Sequence, residues 1–250
     1  MISFVGAGPG DVDLITVKGR RLLEEADVII YAGSLVDARH MDSAKEGAEI
    51  YNSATMHLEE VLDVMKKSYH AGKKVVRLHT GDPSLYGAIQ EQMDALDQWG
   101  IPYEVVPGVS SFSAAAASLK REFTLPGVSQ TVILTRRAGR TPVPEAESID
   151  KLATQGASMA IFLSAGQLED LVADLKKGYS DDTPIAVVYK ATWTDEIVVR
   201  STLKDVVKDM EGRDIYKHAQ ILVGDFLDAD YEKSKLYDKY FSTEYRKGTK

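Results

Sequence analysis

The chain has 250 residues, of which 44% are apolar and 27% charged, and its formal net charge is −8. This length and composition suffice for one or two globular domains and exclude a mainly disordered protein. The absence of cysteine excludes disulfides, thiolate catalysis and cysteine-ligated metals, and it is compatible with a reducing cytoplasm. The acidic balance argues against a nucleic-acid partner. No apolar run reaches the roughly 18 residues that span a membrane, and no signal peptide is recognisable, so we expect no membrane partner.

Short apolar runs alternate with helical periodicity along most of the chain, which is the pattern of an α/β protein. Apolar spacing predicts amphipathic helices over 58–65, 168–175 and 203–210, and a weaker one over 89–96. Ser201 and Thr202 are the expected N-caps of the helix over 203–210. The predicted buried strands cover residues 2–5, 28–31, 75–78, 103–106, 131–134, 159–163, 185–189, 196–200 and 220–223.

A break in the pattern around Pro126-Gly127 predicts a linker between two halves of the chain. We therefore predict an N-terminal α/β domain over 1–117, a linker over 118–130, a C-terminal α/β domain over 131–228 and a tail over 229–250. The tail is rich in Lys, Asp and Tyr. It has two interpretations, an arm across a partner subunit or a frayed chain end.

Two predicted strands end in glycine-containing loops, Gly-Ala-Gly-Pro-Gly-Asp at 6–11 and His-Thr-Gly-Asp-Pro at 79–83. Open α/β sheets bind ligands at the carboxyl ends of their strands, where glycine lets backbone amides approach closely. The first loop lacks the dinucleotide fingerprint, because Asp11 replaces its third glycine. The second strand ends in Tyr31 without the acidic residue that binds the ribose. We predict that the cofactor is not a nicotinamide nucleotide.

The loops that follow the predicted strands are rich in Gly, Pro, Ser and Thr and poor in conventional catalysts. They contain no Ser-His-Asp arrangement, and the five histidines show no metal-site spacing, so we predict no catalytic metal. We assign no base role to His79. An enzyme built from such loops works by orienting its reactants more than by acid–base chemistry.

Three stretches together carry a family resemblance: Val-Gly-Ala-Gly-Pro-Gly-Asp at 5–11, His-Thr-Gly-Asp-Pro-Ser-Leu-Tyr-Gly at 79–87 and Pro-Gly-Val-Ser-Ser at 107–111. They resemble the tetrapyrrole methylases, which are S-adenosylmethionine enzymes of cobalamin and sirohaem synthesis. The resemblance runs from residue 1 to about residue 225. Further stretches at 31–35, 56–60, 135–144, 188–193 and 234–239 resemble the members that methylate C11 of precorrin-4, with or without cobalt.

The resemblance implies the class III methyltransferase fold, with two consecutive α/β domains, the cofactor in the cleft between them, and a homodimer, which we expect in the cytoplasm. It implies S-adenosylmethionine as cofactor, S-adenosylhomocysteine as product and an anionic tetrapyrrole as substrate. The implied cofactor contacts are Pro9, Thr80, Gly81, Asp82, Leu85, Ser110, Ser111, Leu163 and Ala191. Leu163 and Ala191 depart from the methionine and glycine that are frequent in relatives. The predicted catalytic residues are Asp82, Tyr189 and Lys190, of which the last two either orient the ring or take part in a local ion pair.

Two features have competing interpretations. Asp82 is either a turn residue before Pro83 or a carboxylate at the cofactor pocket that accepts hydrogen bonds or holds the loop. The basic loop of Arg136, Arg137 and Arg140 is either solvated or a clamp for substrate carboxylates, since guanidinium groups bind carboxylates in bidentate fashion. We predict the pocket role for Asp82 and a substrate-binding role for the three arginines.

Two other functions stay open on the sequence. The first is a related methylase that acts at another ring position, on ribosomal RNA or on a modified histidine, because fold does not fix function. A basic stripe with exposed aromatic residues would favour RNA, and the overall acidity disfavours it. The second is a corrinoid-binding protein without catalytic activity. The intact loops at Pro9, Asp82 and Ser110 argue against that function.

Overall fold

A computed structural model describes residues 1–249 of the chain. They form two compact units. The first contains Met1–Ala115 and Lys190–Ile197, and the second contains the rest of the described chain. The segment Lys190–Ile197 therefore groups with the N-terminal unit, although it lies in the second half of the sequence. The predicted boundaries at residues 117, 131 and 228 stay a prediction.

The first unit is built on a parallel sheet of five strands in the order β3-β2-β4-β1-β5. Because all five strands are parallel, their carboxyl ends and the loops that follow lie at one edge. The strands are β1 (Ile2–Gly6), β2 (Val28–Tyr31), β3 (Glu49–Asn52), β4 (Val75–His79) and β5 (Tyr103–Val106).

Helices cover both faces of this sheet. Their bounds are α1 (Val17–Glu25), α2 (Leu58–His70), α3 (Gln90–Gln98) and α4 (Ser111–Leu119). On one face, Met65 of α2 and Leu96 of α3 pack with Phe4 of β1. On the other face, Leu23 of α1 packs with Val5 and Leu78. The central strands β1 and β4 are buried on both sides, which explains their continuous apolar runs.

Strand β3 was not among the predicted strands. Its residues Glu49, Ile50 and Asn52 are exposed, since β3 is an edge strand that pairs only with β2. A short edge strand with polar side chains lacks the apolar run by which buried strands are recognised.

The second unit contains a mixed sheet in the order β6-β7-β10-β8-β9. Its strands are β6 (Val132–Arg136), β7 (Ser158–Phe162), β8 (Pro184–Tyr189), β9 (Ile197–Thr202) and β10 (Ala219–Val223), and its helices are α5 (Ile149–Ala153), α6 (Leu168–Leu175) and α7 (Val206–Asp209). Strand β6 is parallel to β7, and β10 is antiparallel to both β7 and β8. Strands β6, β7 and β8 therefore run in one direction and end at the same edge.

The predicted helix over 203–210 is shorter in the structure, and its predicted caps are wrong. Strand β9 continues through Thr202, and Asp205 is the N-cap of α7. The hydroxyls of Ser201 and Thr202 donate to the carboxylates of Asp209 and Asp205, at 2.6 and 3.0 Å. Leu203 is fully buried in the core, so packing of the strand end overrides the helical periodicity.

The helices described within residues 1–249 are all too short or too polar to span a lipid bilayer.

Candidate active site

Three glycine-containing loops meet at the carboxyl edge of the first sheet. Gly8 and Gly81 form an antiparallel bridge, in which the N–H of Gly81 donates to the carbonyl of Gly8 at 2.8 Å. A Cβ on Gly6 would lie 2.6 Å from Cα of Gly108. A Cβ on Gly108 would lie 2.1 Å from the carbonyl oxygen of Gly81. The backbones of the three loops are thus in direct contact, and this packing requires glycine.

Asp82 cross-links two of these loops. Its Oδ2 accepts a hydrogen bond from the N–H of Gly108 at 2.9 Å. Its Oδ1 accepts from the N–H of Ser84 at 2.8 Å and from the Ser84 hydroxyl. Burial by itself would raise the pKa of Asp82, but the hydrogen bonds from Ser84 and Gly108 outweigh it and hold the pKa below its usual value. The carboxylate is therefore ionised near neutral pH, and its contacts match a group that holds the loop.

Replacement of Asp82 by alanine should weaken cofactor binding about tenfold to a hundredfold, because the loops of Asp82 and Gly108 lose a charge-assisted hydrogen bond, worth roughly 1.5–3 kcal/mol, that holds them in one arrangement. Calorimetric titration with S-adenosylhomocysteine measures the change. The control is Asp63→Ala, which removes an exposed carboxylate paired with Lys67 on α2. Wild-type affinity in a folded Asp82→Ala protein would contradict the pocket role.

The other predicted contacts of the first unit follow from the same loops. A Cβ on Gly81 would lie 3.6 Å from Cα of Ser110, so the loops of Thr80 and Ser110 are neighbours. The N–H of Leu85 donates to the carbonyl of Asp82 at 3.2 Å. Ser110 is buried and precedes α4, which begins at Ser111. The structure thus brings Thr80, Gly81, Asp82, Leu85, Ser110 and Ser111 together with the first glycine loop.

The segment Lys190–Ile197 contains two further predicted residues. Ala191 is buried, with 5% of its surface exposed. It lies between Lys190 and Thr192, whose φ angles of 47° and 71° are in the left-handed region. The ammonium of Lys190 lies 2.5 Å from Asp195, so its charge already has an anionic partner. Its predicted catalytic role stays a prediction.

The first glycine loop does not open an α-helix. Its Asp11 accepts from the N–H of Asp13 at 3.0 Å and caps the short 3-10 helix Val12–Leu14. Helix α1 begins only at Val17, with Thr16 as its N-cap. A dinucleotide site needs a helix N-terminus directly at the glycine loop to hold the pyrophosphate. The geometry therefore agrees with the absence of the fingerprint.

In the second unit, the predicted residues lie at the ends of β6, β7 and β8. Leu163 follows β7 with a φ of 54°, and 67% of its surface is exposed. A large apolar side chain held outward in a strained conformation is typical of a ligand contact. The N–H of Arg137 donates to the hydroxyl of Ser164 at 2.9 Å, so the ends of β6 and β7 are joined. Tyr189 is the half-buried last residue of β8.

The three arginines of the basic loop differ in their contacts. Arg136 donates to the carbonyls of Thr141 and Pro142, at 3.1 and 2.7 Å, and so closes its own loop. Arg137 donates to Asp174 at 2.9 Å and to Gln167 at 2.6 Å. Arg140 is exposed and forms no hydrogen bond or ion pair within residues 1–249. Of the three guanidinium groups in this loop, that of Arg140 is the one with no partner among the described residues.

Sequence reasoning missed two features of the first unit. Trp193, in the polar stretch Thr192-Trp193-Thr194, donates from Nε1 to the carbonyl of Pro9 at 2.9 Å. An isolated tryptophan in a polar loop was the available signal. The second feature is the buried pair of Arg77 and His79 on β4. Burial lowers the pKa of Arg77 to about 10, and burial together with the charge of Arg77 lowers that of His79 to about 3.

The profile of the Tetrapyrrole (Corrin/Porphyrin) Methylases matches residues 1–207. The chain belongs to this family. A curated member from Methanocaldococcus jannaschii, named cobalt-precorrin-4 C(11)-methyltransferase, is 57% identical over 100% of this chain and 97% of its own length. The tetrapyrrole methylase resemblance and the predicted α/β fold class are thereby confirmed.

Two solved structures of tetrapyrrole methylases are also similar to this chain. One is an X-ray structure of a cobalamin biosynthetic enzyme, cobalt precorrin-4 methyltransferase, with a TM-score of 0.89 and 50% identity. The similarity covers 91% of this chain and 96% of that one. The other is uroporphyrin-III C-methyltransferase from Thermus thermophilus complexed with S-adenosylhomocysteine. Its TM-score is 0.75 at 27% identity, with 93% of this chain and 95% of that chain covered.

Proposed function

We propose that this chain transfers the methyl group of S-adenosylmethionine to C11 of cobalt-precorrin-4, or of precorrin-4 without cobalt, in cobalamin biosynthesis. The observation that carries this proposal is the 57% identity, over the full chain, to a methyltransferase of that name. The strand-end loops support it, because they offer backbone groups and tight packing where the sequence provides few conventional catalysts. We place the enzyme in the cytoplasm as a homodimer, as the family resemblance implies.

The residues of the first unit fit S-adenosylmethionine. The loops pack directly on one another at Gly6, Gly81 and Gly108, so their backbone groups lie close together at the edge of the sheet where a ligand can be bound. In our proposal the loops of Pro9, Asp82 and Ser110 hold the cofactor together with Ala191, and Leu163 stays a contact that the family resemblance implies. When bound, the cofactor supplies a methyl group that its sulfonium sulfur already activates, so the protein needs mainly to orient the reactants.

The roles of the chain's own residues follow from their contacts. Asp82 keeps two loops in one arrangement through three accepted hydrogen bonds. Arg140 pairs with a carboxylate arm of the tetrapyrrole, while Arg136 and Arg137 shape the loop that presents it. Tyr189 and Lys190, at the end of β8, orient the ring.

Mass spectrometry of cobalt-precorrin-4 and of precorrin-4 tests this function, after incubation with the protein and S-adenosylmethionine. We expect one added methyl group, which NMR should locate on C11. A reaction with S-adenosylhomocysteine in place of the donor is the control. A methyl group on another ring carbon would indicate a related methylase, and tetrapyrrole binding without transfer would indicate a corrinoid-binding protein.

Arg140→Ala should raise the KM for the tetrapyrrole roughly fivefold, the effect of losing an exposed ion pair worth about 1 kcal/mol. The effect should shrink at high salt, because exposed charges are screened beyond about 8–10 Å. Cofactor affinity and thermal stability should stay unchanged. Steady-state kinetics and thermal unfolding measure these quantities.

Arg137→Ala is the matched comparison for Arg140→Ala. It should lower the unfolding temperature, since Asp174 and Gln167 each lose a hydrogen bond from the guanidinium group at a half-buried site. Equal KM values for Arg140→Ala and the wild type would show that the basic loop is a solvated surface that does not bind the substrate.

A further inference from the structure

Trp193 joins the segment Lys190–Ile197 to the first glycine loop across 184 positions of sequence. Its indole N–H donates to the carbonyl oxygen of Pro9 at 2.9 Å. The ring also packs on Gly10 so closely that a Cβ there would lie 2.0 Å from Cδ1 of the indole. One side chain thus fixes the orientation of the Pro9 carbonyl and closes the space beside Gly10.

A second contact reinforces this junction. The N–H of Asp11 donates to the hydroxyl oxygen of Thr192 at 3.0 Å. The N–H of Thr192 in turn donates to Glu196 at 2.6 Å, and the N–H of Trp193 donates to the carbonyl of Lys190 at 2.9 Å. The segment is therefore a tight turn anchored at two points on the glycine loop.

The backbone on both sides of Ala191 is strained. Lys190 and Thr192 adopt left-handed conformations that cost on the order of 1–3 kcal/mol each for residues other than glycine. Such conformations persist where the surrounding structure holds them. The contacts of Thr192 and Trp193 with the glycine loop provide that hold. Without them, the turn is expected to relax and displace Ala191.

We propose that Trp193 is a positioning residue for methyl transfer, which keeps Pro9 and Ala191 in one fixed arrangement. The inference rests on the proposed function, because Pro9 and Ala191 are proposed cofactor contacts. Trp193 acts through both of them: its N–H orients the Pro9 carbonyl, and its ring holds the turn that presents Ala191. Loss of this arrangement should weaken cofactor binding more than it weakens the fold.

Calorimetry with S-adenosylhomocysteine tests this role in full-length variants. Trp193→Phe keeps a ring against Gly10 but loses the N–H donor, so the Kd should rise about twofold to tenfold, the equivalent of one neutral hydrogen bond. Trp193→Ala loses both contacts and should raise the Kd further. The chain's other tryptophan is Trp99, at the C-terminal end of α3 under the ammonium of Lys66. Trp99→Phe and Trp99→Ala are therefore matched controls, and both should keep the wild-type Kd.

A double-mutant cycle gives a readout that a general loss of stability would not produce. Gly10→Ala should weaken S-adenosylhomocysteine binding in the wild type, because its new methyl group meets the indole. In the Trp193→Ala background the same change should have much less effect, so the two substitutions should be clearly non-additive. Additive effects would overturn the positioning role.

The remaining outcomes separate this inference from the proposed function. If the wild type binds S-adenosylhomocysteine and both Trp193 variants bind it equally well, the positioning role is wrong while the proposed function stands. Reduced thermal stability at unchanged Kd would likewise overturn it in favour of a purely structural role. If the wild type does not bind S-adenosylhomocysteine, the proposed cofactor contacts are wrong, and the positioning role of Trp193 is wrong as well.

Discussion

Gly108→Ala should abolish measurable binding of S-adenosylhomocysteine and should destabilise the protein by about 1–3 kcal/mol, the usual cost of overpacking. The new Cβ would lie 2.1 Å from the carbonyl oxygen of Gly81 and 2.8 Å from Cα of Gly6. Both neighbours are backbone atoms of other strand-end loops, so no side-chain rotation relieves the contact. The loops must move apart, and Asp82 then loses its hydrogen bond from the N–H of Gly108.

Gly72→Ala is the matched control for Gly108→Ala. Gly72 has a φ of 74° and nothing within 4 Å of an added Cβ, so its substitution costs backbone strain of about 1–2 kcal/mol without a steric contact. Urea unfolding and calorimetry measure stability and cofactor affinity in the two variants. We expect Gly72→Ala to keep the wild-type Kd. Comparable cofactor binding by Gly108→Ala and Gly72→Ala would show that the close packing of the loops does not shape the cofactor site.

The free energy of unfolding should fall as the pH drops below about 6.5, and His79 should be a main cause. Burial, with a further contribution from the nearby charge of Arg77, lowers the pKa of His79 to about 3 in the folded protein. At a pH between about 3 and about 6.5, His79 binds a proton in the unfolded chain but stays neutral in the folded protein. The contribution of neutral His79 to the free energy of unfolding is therefore fully present above the pKa of histidine in the unfolded chain. As the pH falls from there toward 3, this contribution decreases by up to roughly 1.4 kcal/mol per pH unit.

His79→Phe should reduce this pH dependence, because phenylalanine cannot titrate and the site already lies beside the ring of Phe4, at a centroid distance of 6.1 Å. Urea unfolding at about pH 7 and about pH 5.5 compares the variants above the range in which most carboxylates titrate. Burial also lowers the pKa of His40, so part of the slope should remain in His79→Phe. His70→Gln, at an exposed position, is the comparison variant and is measured at the same two pH values. An unchanged slope in His79→Phe would contradict a neutral, buried His79.

The residue pattern was enough to predict the α/β class and where along the chain the candidate site lies. The apolar runs that become β1 and β4 are buried on both faces of the sheet, and such strands leave a strong signal in sequence. The glycine loops directly after them mark the carboxyl edge, because parallel strands bring their loops to one edge. Local sequence patterns did not predict β3, because an exposed edge strand has no apolar run. They also predicted α7 to be too long, because Leu203 is buried at the end of a strand and not in a helix.

Which side chains lie in contact follows from the folded structure and not from the residue pattern. The hydrogen bond from Gly108 to Asp82 and the contact of Trp193 with Pro9 join residues 26 and 184 positions apart, a separation at which local pattern carries no information. The basic loop shows the same: Arg137 and Arg140 look alike in the sequence, but Asp170 and Asp174 of α6 pair with Arg137 and not with Arg140. Which glycine is irreplaceable and which arginine is free to bind a ligand depend on how distant backbones and side chains pack, and this packing exists only in the folded chain.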